Sequence, residues 1–282
     1  IIYNPKIYKQ YVLSPYMQQT HKFLHKVSKG SRFNQIYIPK EKEKEFEVGD
    51  TVEVRLIKKD SKLNYSEHLS KLSEFKENLI KQIFSFLSKY KEIKQVFIFG
   101  SFLTKKLDYK DIDILVLVDK ESKVFDERMY EAITDKFNLN IHIISGQVDK
   151  MNETLRICPL SRGMLYHNIS NKKFSLPKET SINENHLKYL LMMPQDLLRV
   201  RFPLGRVYYD SLRKIITIEY FLNNDEIAPD KIDLKLINLI SHEKLMILKE
   251  NHNVESYLLK EVRKIIKDKL SIIYGLLKNG EK

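Results

Sequence analysis

The sequence predicts an α+β protein in which a small mixed sheet is preceded by a small β-containing module and followed by a helix bundle. Three observations predict this class: alternating apolar residues near the start, strands interleaved with helices in the middle, and only helical periodicity beyond Pro177. The length of 282 residues exceeds one typical domain. We therefore expect three domains, over residues 1–60, 61–175 and 176–282.

The first domain is predicted from two short alternating segments. FNQIYIP (33–39) and TVEVRLI (51–57) flank the charged connection KEKEKEFEVGD, whose Gly49 and Asp50 favour a turn. This order resembles the swapped-hairpin DNA-binding domains of transition-state regulators, and the resemblance implies DNA as a partner and a dimer. A β-hairpin that only packs on the next domain is the alternative.

The middle domain is predicted from interleaved helix and strand patterns. Apolar residues recur at helical spacing over 66–90, with Phe75 on the apolar face and Ser66 as a cap. VFIFG and DIDILVLVD then read as strands, 121–136 as a helix, NLNIHIIS as a strand and 148–157 as a helix. This order indicates a small α/β unit with a mixed sheet.

The last third carries helical periodicity throughout, which predicts the bundle. Four stretches show it: LKYLLMM, RVYYDSLRKIITIEYFL, LKLINLISHEKLMILKE and VESYLLKEVRKIIKDKLSIIYGLL.

Composition excludes several classes of protein. A hydrophobic content of 43% argues against a disordered chain, and no apolar run reaches the ~20 residues of a membrane span. The single cysteine, Cys158, excludes a disulfide framework and a multi-cysteine zinc site. No secretion signal is recognised at the start, so we expect a cytoplasmic protein without a membrane partner. The net charge of +12 favours an anionic partner such as RNA, DNA or a nucleotide.

Two aspartates interrupt an apolar strand in VFIFGSFLTKKLDYKDIDILVLV (96–118). Residues alternate faces along a strand, so Asp111 and Asp113 share one face while Ile112 and Ile114 point into the apolar layer. Paired carboxylates repel each other unless a cation lies between them. Oxygen ligands of this kind suit Mg²⁺ or Mn²⁺, which also bind phosphate oxygens.

The preceding Gly-Ser pair has the properties of a phosphate-binding turn. Gly100 permits a sharp turn and a close approach of a polyphosphate, and Ser101 offers a hydroxyl and an amide. Lys105 and Lys106 follow in the connection, either as phosphate contacts or as solvated surface lysines.

A strand, Gly-Ser, about ten residues and Asp-hydrophobic-Asp in a second strand resembles the DNA polymerase β-like nucleotidyltransferase superfamily, of the minimal nucleotidyltransferase type. The resemblance implies a small mixed-sheet nucleotidyltransferase domain that moves a nucleoside monophosphate from an NTP, such as ATP, to an acceptor by a two-metal in-line displacement. It implies that Gly100 and Ser101 bind phosphate and that Asp111 and Asp113 bind metal. SRGMLYHN (161–168) resembles the end of such domains.

The sequence departs from this family where a third carboxylate is usual. The next strand carries Asn140 and His142 on the corresponding face and no acidic residue. Three interpretations of His142 follow. It is a substitute general base, a polar residue with a structural role, or an indication that the domain retains one-metal binding but has lost catalytic turnover. Asp119, Asp149 and Glu153 are candidates to supply the missing ligand from loops.

The start of the helical third, which resembles the helical partners of minimal nucleotidyltransferases, is basic and aromatic. This combination suits binding of the acceptor substrate. The alternative is that the arginines extend their apolar stems along the helix surface to reach solvent, while the tyrosines belong to the core. The candidates are Arg199, Arg201, Arg206, Tyr208 and Tyr209, with Arg213 nearby.

Two functions from different classes follow. The first is a metal-dependent nucleotidyltransferase with an RNA, protein or small-molecule acceptor. The second is a weakly active or inactive nucleotide-binding regulator or toxin–antitoxin component, with DNA binding through the first domain. A transcription factor that uses the middle domain only as a scaffold is a third reading.

Overall fold

The computed structural model describes residues 22–55, 61–104, 109–199, 204–251 and 254–279. The chain divides into two compact units, Ile1–Ile57 and Lys58–Lys282. The second unit contains the main sheet and the helices that follow it.

The first unit has little regular structure in its described part. Strands β1 (Ser28–Lys29) and β2 (Asn34–Gln35) form an antiparallel pair, and Lys40–Lys42 form a 3₁₀ turn. Residues 51–55 are not a strand, so the predicted two-strand arrangement is wrong there, and residues 56–57 lie outside the described part. The reason is that the alternation buries no apolar face: Val52 and Val54 are 49% and 66% exposed.

The second unit is built on a five-stranded mixed sheet in the order β3-β7-β4-β5-β6. Strand β5 pairs antiparallel with β4 and parallel with β6, and β7 pairs antiparallel with β4 and with β3. The strands are β3 (Asn64–Tyr65), β4 (Ile93–Phe99), β5 (Ile112–Val118), β6 (Ile141–Gln147) and β7 (Asn168–Ser170). The predicted mixed sheet is confirmed.

Both faces of this sheet are covered, which explains the nearly continuous apolar strands. One face packs on α1 (Glu74–Leu87) and α2 (Lys123–Phe137) through residues such as Ile98 and Ile114. The other face packs Phe97 and Leu115 against the segments that contain α3 (Met151–Ile157) and α4 (Pro159–Met164).

Helix α1 is shorter than the predicted helix over 66–90. It begins after Ser73, whose hydroxyl accepts from the backbone N–H of Lys76. Ser66, predicted as the cap, exchanges hydrogen bonds with Asn168 instead: its N–H donates to the Asn168 carbonyl at 3.0 Å, and its hydroxyl accepts from the Asn168 N–H at 3.1 Å. Phe75, predicted on the apolar face, is 67% exposed.

The predicted helix bundle is confirmed. Its helices are α5 (Glu184–Arg199), α6 (Gly205–Leu222), α7 (Pro229–Ile240), α8 (His242–Glu250) and α9 (Ser256–Asn279). The stretch LKLINLISHEKLMILKE is not one helix, because Ser241 adopts a φ of 70° and separates α7 from α8. Among the described helices, none has the length and apolar character needed to cross a bilayer.

Candidate active site

One edge of the sheet gathers the polar residues of the Gly-Ser and Asp-Ile-Asp motifs. Strand β4 ends at this edge, and β5, β6 and β7 begin there, so Phe99 pairs with Asp113 on one side and Asn168 on the other. Asp113 in turn pairs with His142 across the parallel strands β5 and β6. We call this edge, with Gly100 at the end of β4, the Gly100 edge.

Gly100 has a conformation and a neighbour that both require glycine. Its φ is 77° and its ψ is −157°, a region that other residues rarely adopt. A Cβ atom added there would lie 2.0 Å from Oδ2 of Asp113. The glycine at position 100 therefore turns the chain and makes room for the Asp113 carboxylate.

Asp113 extends a row of apolar side chains at the Gly100 edge, on the face that carries Leu115 and Leu117. Its side chain is 21% exposed. Burial raises the pKa of Asp113, the charge of Asp111 raises it further, and the hydrogen bond with His142 opposes this rise. The surroundings of Asp113 therefore disfavour the charged form of its carboxylate.

His142 occupies the register position next to Asp113. Its Nδ1 lies 3.2 Å from Oδ1 of Asp113, and its side chain is 60% exposed. A hydrogen bond to an ionised carboxylate requires the proton on Nδ1, which leaves Nε2 as a proton acceptor. Asn140, which was predicted to lie on the same strand as His142, directly precedes β6, and its Nδ2 donates to the carbonyl of Lys110 at 3.4 Å.

The donor types at this edge fit a magnesium or manganese ion. Among the described residues, no three His, Cys, Asp or Glu side chains are grouped closely enough to hold a metal by themselves. Mg²⁺ commonly binds through one or two carboxylates and completes its shell with water and phosphate oxygens. Asp111 and Asp113, whose charges act on each other, match that arrangement.

The turn after Gly100 is held by internal hydrogen bonds. Ser101 begins a 3₁₀ turn over Ser101–Leu103, and its carbonyl accepts from the N–H and the hydroxyl of Thr104 at 3.1 and 2.8 Å. Ser101 itself is exposed. This residue therefore lies at the surface of the Gly100 edge.

Lys76 is a residue of this site that sequence reasoning missed. It is 5% exposed, and its Nζ donates to the carbonyls of Phe102 and Thr104 at 2.7 and 2.8 Å. The ammonium also lies 5.1 Å from the ring centroid of Phe102. A lysine amid the apolar positions of α1 was the available signal, because a charged residue on a buried helix face needs partners.

Some predicted residues are elsewhere or outside the described part. Lys105 and Lys106 fall in the undescribed range 105–108. Asp119 follows the far end of β5, roughly 20 Å from Asp113 at the usual rise per residue, and pairs with Lys94 at 2.9 Å. Asp149 and Glu153 follow the carboxyl end of β6, which lies at the same edge of the sheet as the carboxyl end of β5. None of these three acids is therefore available as the missing third ligand.

The sheet domain meets the bundle near the carboxyl end of α6. A Cβ added to Gly163 would lie 3.0 Å from Ile227 and 3.8 Å from Thr217. The Tyr166 hydroxyl donates to Glu226, and the Tyr166 ring stacks on His68 with centroids 4.8 Å apart. This junction lies well along α6 from its first turn.

The predicted acceptor residues lie at the other end of α6 or beyond the described part. Arg206 is about 16 Å from Thr217 along the helix axis, and its Nε lies 3.1 Å from both Asp210 oxygens. Tyr208 and Tyr209 are 1% and 5% exposed and pack in the bundle core, as the alternative reading expected. Arg199 is exposed at the end of α5, and Arg201 falls in the undescribed range 200–203. The described contacts do not bring this group to the Gly100 edge.

Comparison with known families identifies the central segment. Residues 81–163 match a family described as Polymerase beta, Nucleotidyltransferase. The match runs from within α1 to α4 and contains Gly100, Asp113 and His142. No curated protein shows a significant sequence match to the chain.

Proposed function

We propose that this chain, whose residues 81–163 form a nucleotidyltransferase domain of the DNA polymerase β-like superfamily, transfers a nucleoside monophosphate from an NTP to an acceptor hydroxyl. The observation that carries the proposal is the convergence of Gly100, Asp113 and His142 at one sheet edge within the matched segment. Fold alone does not define activity, so the argument rests on this site.

Each residue of the site has a role in this reaction. Gly100 lets the polyphosphate approach the backbone, and the hydroxyl and amide of Ser101 donate hydrogen bonds to its oxygens. Asp111 and Asp113 hold a Mg²⁺ or Mn²⁺ ion. When bound, the ion offsets negative charge on the phosphates and on the leaving pyrophosphate.

His142 completes the chemistry as a proton acceptor. The acceptor oxygen forms a bond to the α-phosphorus, the bond from that phosphorus to pyrophosphate breaks, and Nε2 of His142 takes the hydroxyl proton. The bond from Nδ1 to Asp113 fixes the ring orientation and the tautomer. In this account His142 replaces the third carboxylate that is usual in active relatives.

The test is transfer of label from each α-³²P-labelled NTP, with Mg²⁺ or Mn²⁺, to RNA, protein and small-molecule acceptors. We expect transfer by the wild type and none by Asp111→Asn combined with Asp113→Asn. Asp119→Asn is the matched control, because its carboxylate lies at the opposite end of β5. Absence of transfer to every acceptor class, or transfer by the double variant, would overturn the proposal.

Nucleotide binding without turnover is the second candidate. It is favoured by the histidine in register with Asp113, where active relatives usually carry an acid. A regulator of this kind would bind NTP in a calorimetric titration and release no pyrophosphate. Stoichiometric pyrophosphate release would exclude it.

A further inference from the structure

A cavity of about 350 Å³ lies where the sheet domain meets the helix bundle. Three segments line it: α4, residues 178–180 of the connection between β7 and α5, and the end of α6 with the loop after it. Its volume is at the lower end of the range for small-molecule sites. The size suits a metabolite rather than a macromolecule.

The cavity has an apolar wall and a polar wall. Phe221 and Ile227, which are 2% and 4% exposed, form the apolar wall. On the polar wall Thr180 Oγ1 lies 3.0 Å from Oδ1 of Asn224. Lys178 is exposed and lies at the rim.

Arg162 supplies a positive charge to this cavity. It is partly buried, and its Nη1 donates to the carbonyl of Leu155 at 3.4 Å. Within the described ranges, no carboxylate lies within ion-pair distance of Arg162. Burial lowers the pKa of the Arg162 guanidinium. Because the guanidinium is partly removed from water and has no carboxylate partner in the described part of the chain, its remaining donors are suited to an anion from solution.

The acidic residues around the cavity are not the charged partner of Arg162. Glu179 lines the cavity, but its side chain is 84% exposed and its carboxylate lies 3.8 Å from Arg156. Asp225 is exposed at the rim. Both residues are exposed, and neither carboxylate forms an ion pair with the Arg162 guanidinium.

We propose that this cavity is a second binding site, separate from the Gly100 edge, for a small molecule that carries an oxyanion group. Arg162 is the main contact, because a guanidinium matches phosphate and carboxylate with two parallel N–H donors. Lys178 approaches the same group from the rim, and the apolar wall takes the rest of the molecule. The proposal does not depend on the proposed transfer reaction.

The test is the melting temperature of the full chain as phosphate or succinate is added at constant ionic strength with chloride. A bound anion raises the melting temperature in a saturable manner. We expect this rise in the wild type and in Asp111→Asn combined with Asp113→Asn. Arg162→Gln weakens the anion binding about tenfold or more, whereas the control Arg128→Gln, an exposed arginine on α2 that does not line the cavity, leaves it unchanged.

The two probes separate the chemical classes. A response to phosphate alone or succinate alone supports the site and assigns its group. No response to either, or an equal response in Arg162→Gln, overturns the proposal. If Arg162→Gln does not fold, Lys178→Gln decides: a roughly threefold loss of affinity supports the site, and an unchanged affinity overturns it.

Discussion

Gly100 leaves the space that the carboxylate of Asp113 fills: a Cβ at position 100 would stand 2.0 Å from Oδ2 of Asp113. The two residues come from neighbouring antiparallel strands, since Asp113 pairs with Phe99. The turn that we propose to bind phosphate and the carboxylate that we propose to bind metal are thus packed together.

Gly100→Ala should damage the site more than the fold. The substitution displaces the end of the Asp113 side chain, which moves readily, but it strains a φ of 77° and shifts the proposed metal-binding carboxylate. We expect a loss of about 1–3 kcal/mol in unfolding free energy and loss of label transfer. Gly275→Ala is the control, because its Cβ meets nothing within 4 Å and should be neutral or slightly stabilising. Equal transfer by the two variants would contradict the close packing of Gly100 and Asp113.

His142→Ala should remove the proton acceptor. General-base catalysis contributes roughly 10²–10⁴-fold, so kcat for label transfer should fall by that order. His142→Asp places a carboxylate in register with Asp113 and should retain most of the transfer. If alanine and aspartate at this position give the same rate as the wild type, His142 has no role in proton transfer.

Lys76→Met should loosen the turn after Gly100. It removes the donors to the carbonyls of Phe102 and Thr104, which we expect to lower the unfolding free energy by about 1–3 kcal/mol and to raise KM for NTP. The exposed Lys71→Met is the control and should change neither quantity. A stability loss with an unchanged KM would show that Lys76 supports only the fold.

Lys269→Met should destabilise the bundle without affecting the Gly100 edge. Lys269 binds both oxygens of Glu219 at 2.8 Å, and the two side chains are only 13% and 14% exposed. Leaving that carboxylate unpaired should cost about 3 kcal/mol in chemical denaturation. Asp210→Asn breaks the exposed pair with Arg206 and should cost about 0.5 kcal/mol. Similar losses in the two variants would contradict this difference in burial.

Local patterns predicted the central sheet well, because β4 and β5 are buried on both faces and therefore appear in the sequence as nearly continuous apolar segments. The same reasoning put Asp113 on the face opposite Ile112 and Ile114, since strand alternation needs no tertiary information, whereas Asp111 precedes the first residue of β5. It did not reveal the break at Ser241, where φ is 70°, because the apolar periodicity continues across it and no glycine or proline marks it.

Contacts between segments that are distant along the chain could not be predicted from local sequence patterns. Lys76 reaches the carbonyls of Phe102 and Thr104 only after α1 packs on the sheet. Tyrosines among arginines are typical of nucleic-acid-binding surfaces, but Tyr208 and Tyr209 are buried in the bundle. Aromatic residues at helical spacing pack equally well in a helical core, so the pattern alone does not distinguish the two environments. In the first domain, alternation predicted a strand over 51–55 where no buried face supports one.

The most direct test of the account is binding of Mn²⁺ together with a non-hydrolysable NTP analogue, followed by electron paramagnetic resonance of the free ion. It needs no knowledge of the acceptor. We predict that the wild type and Asp119→Asn bind the pair equally, and that Asp113→Asn weakens binding about tenfold or more, since a ligand carboxylate is lost. Equal binding by the wild type and Asp113→Asn would contradict the assignment of the Gly100 edge as the metal–nucleotide site.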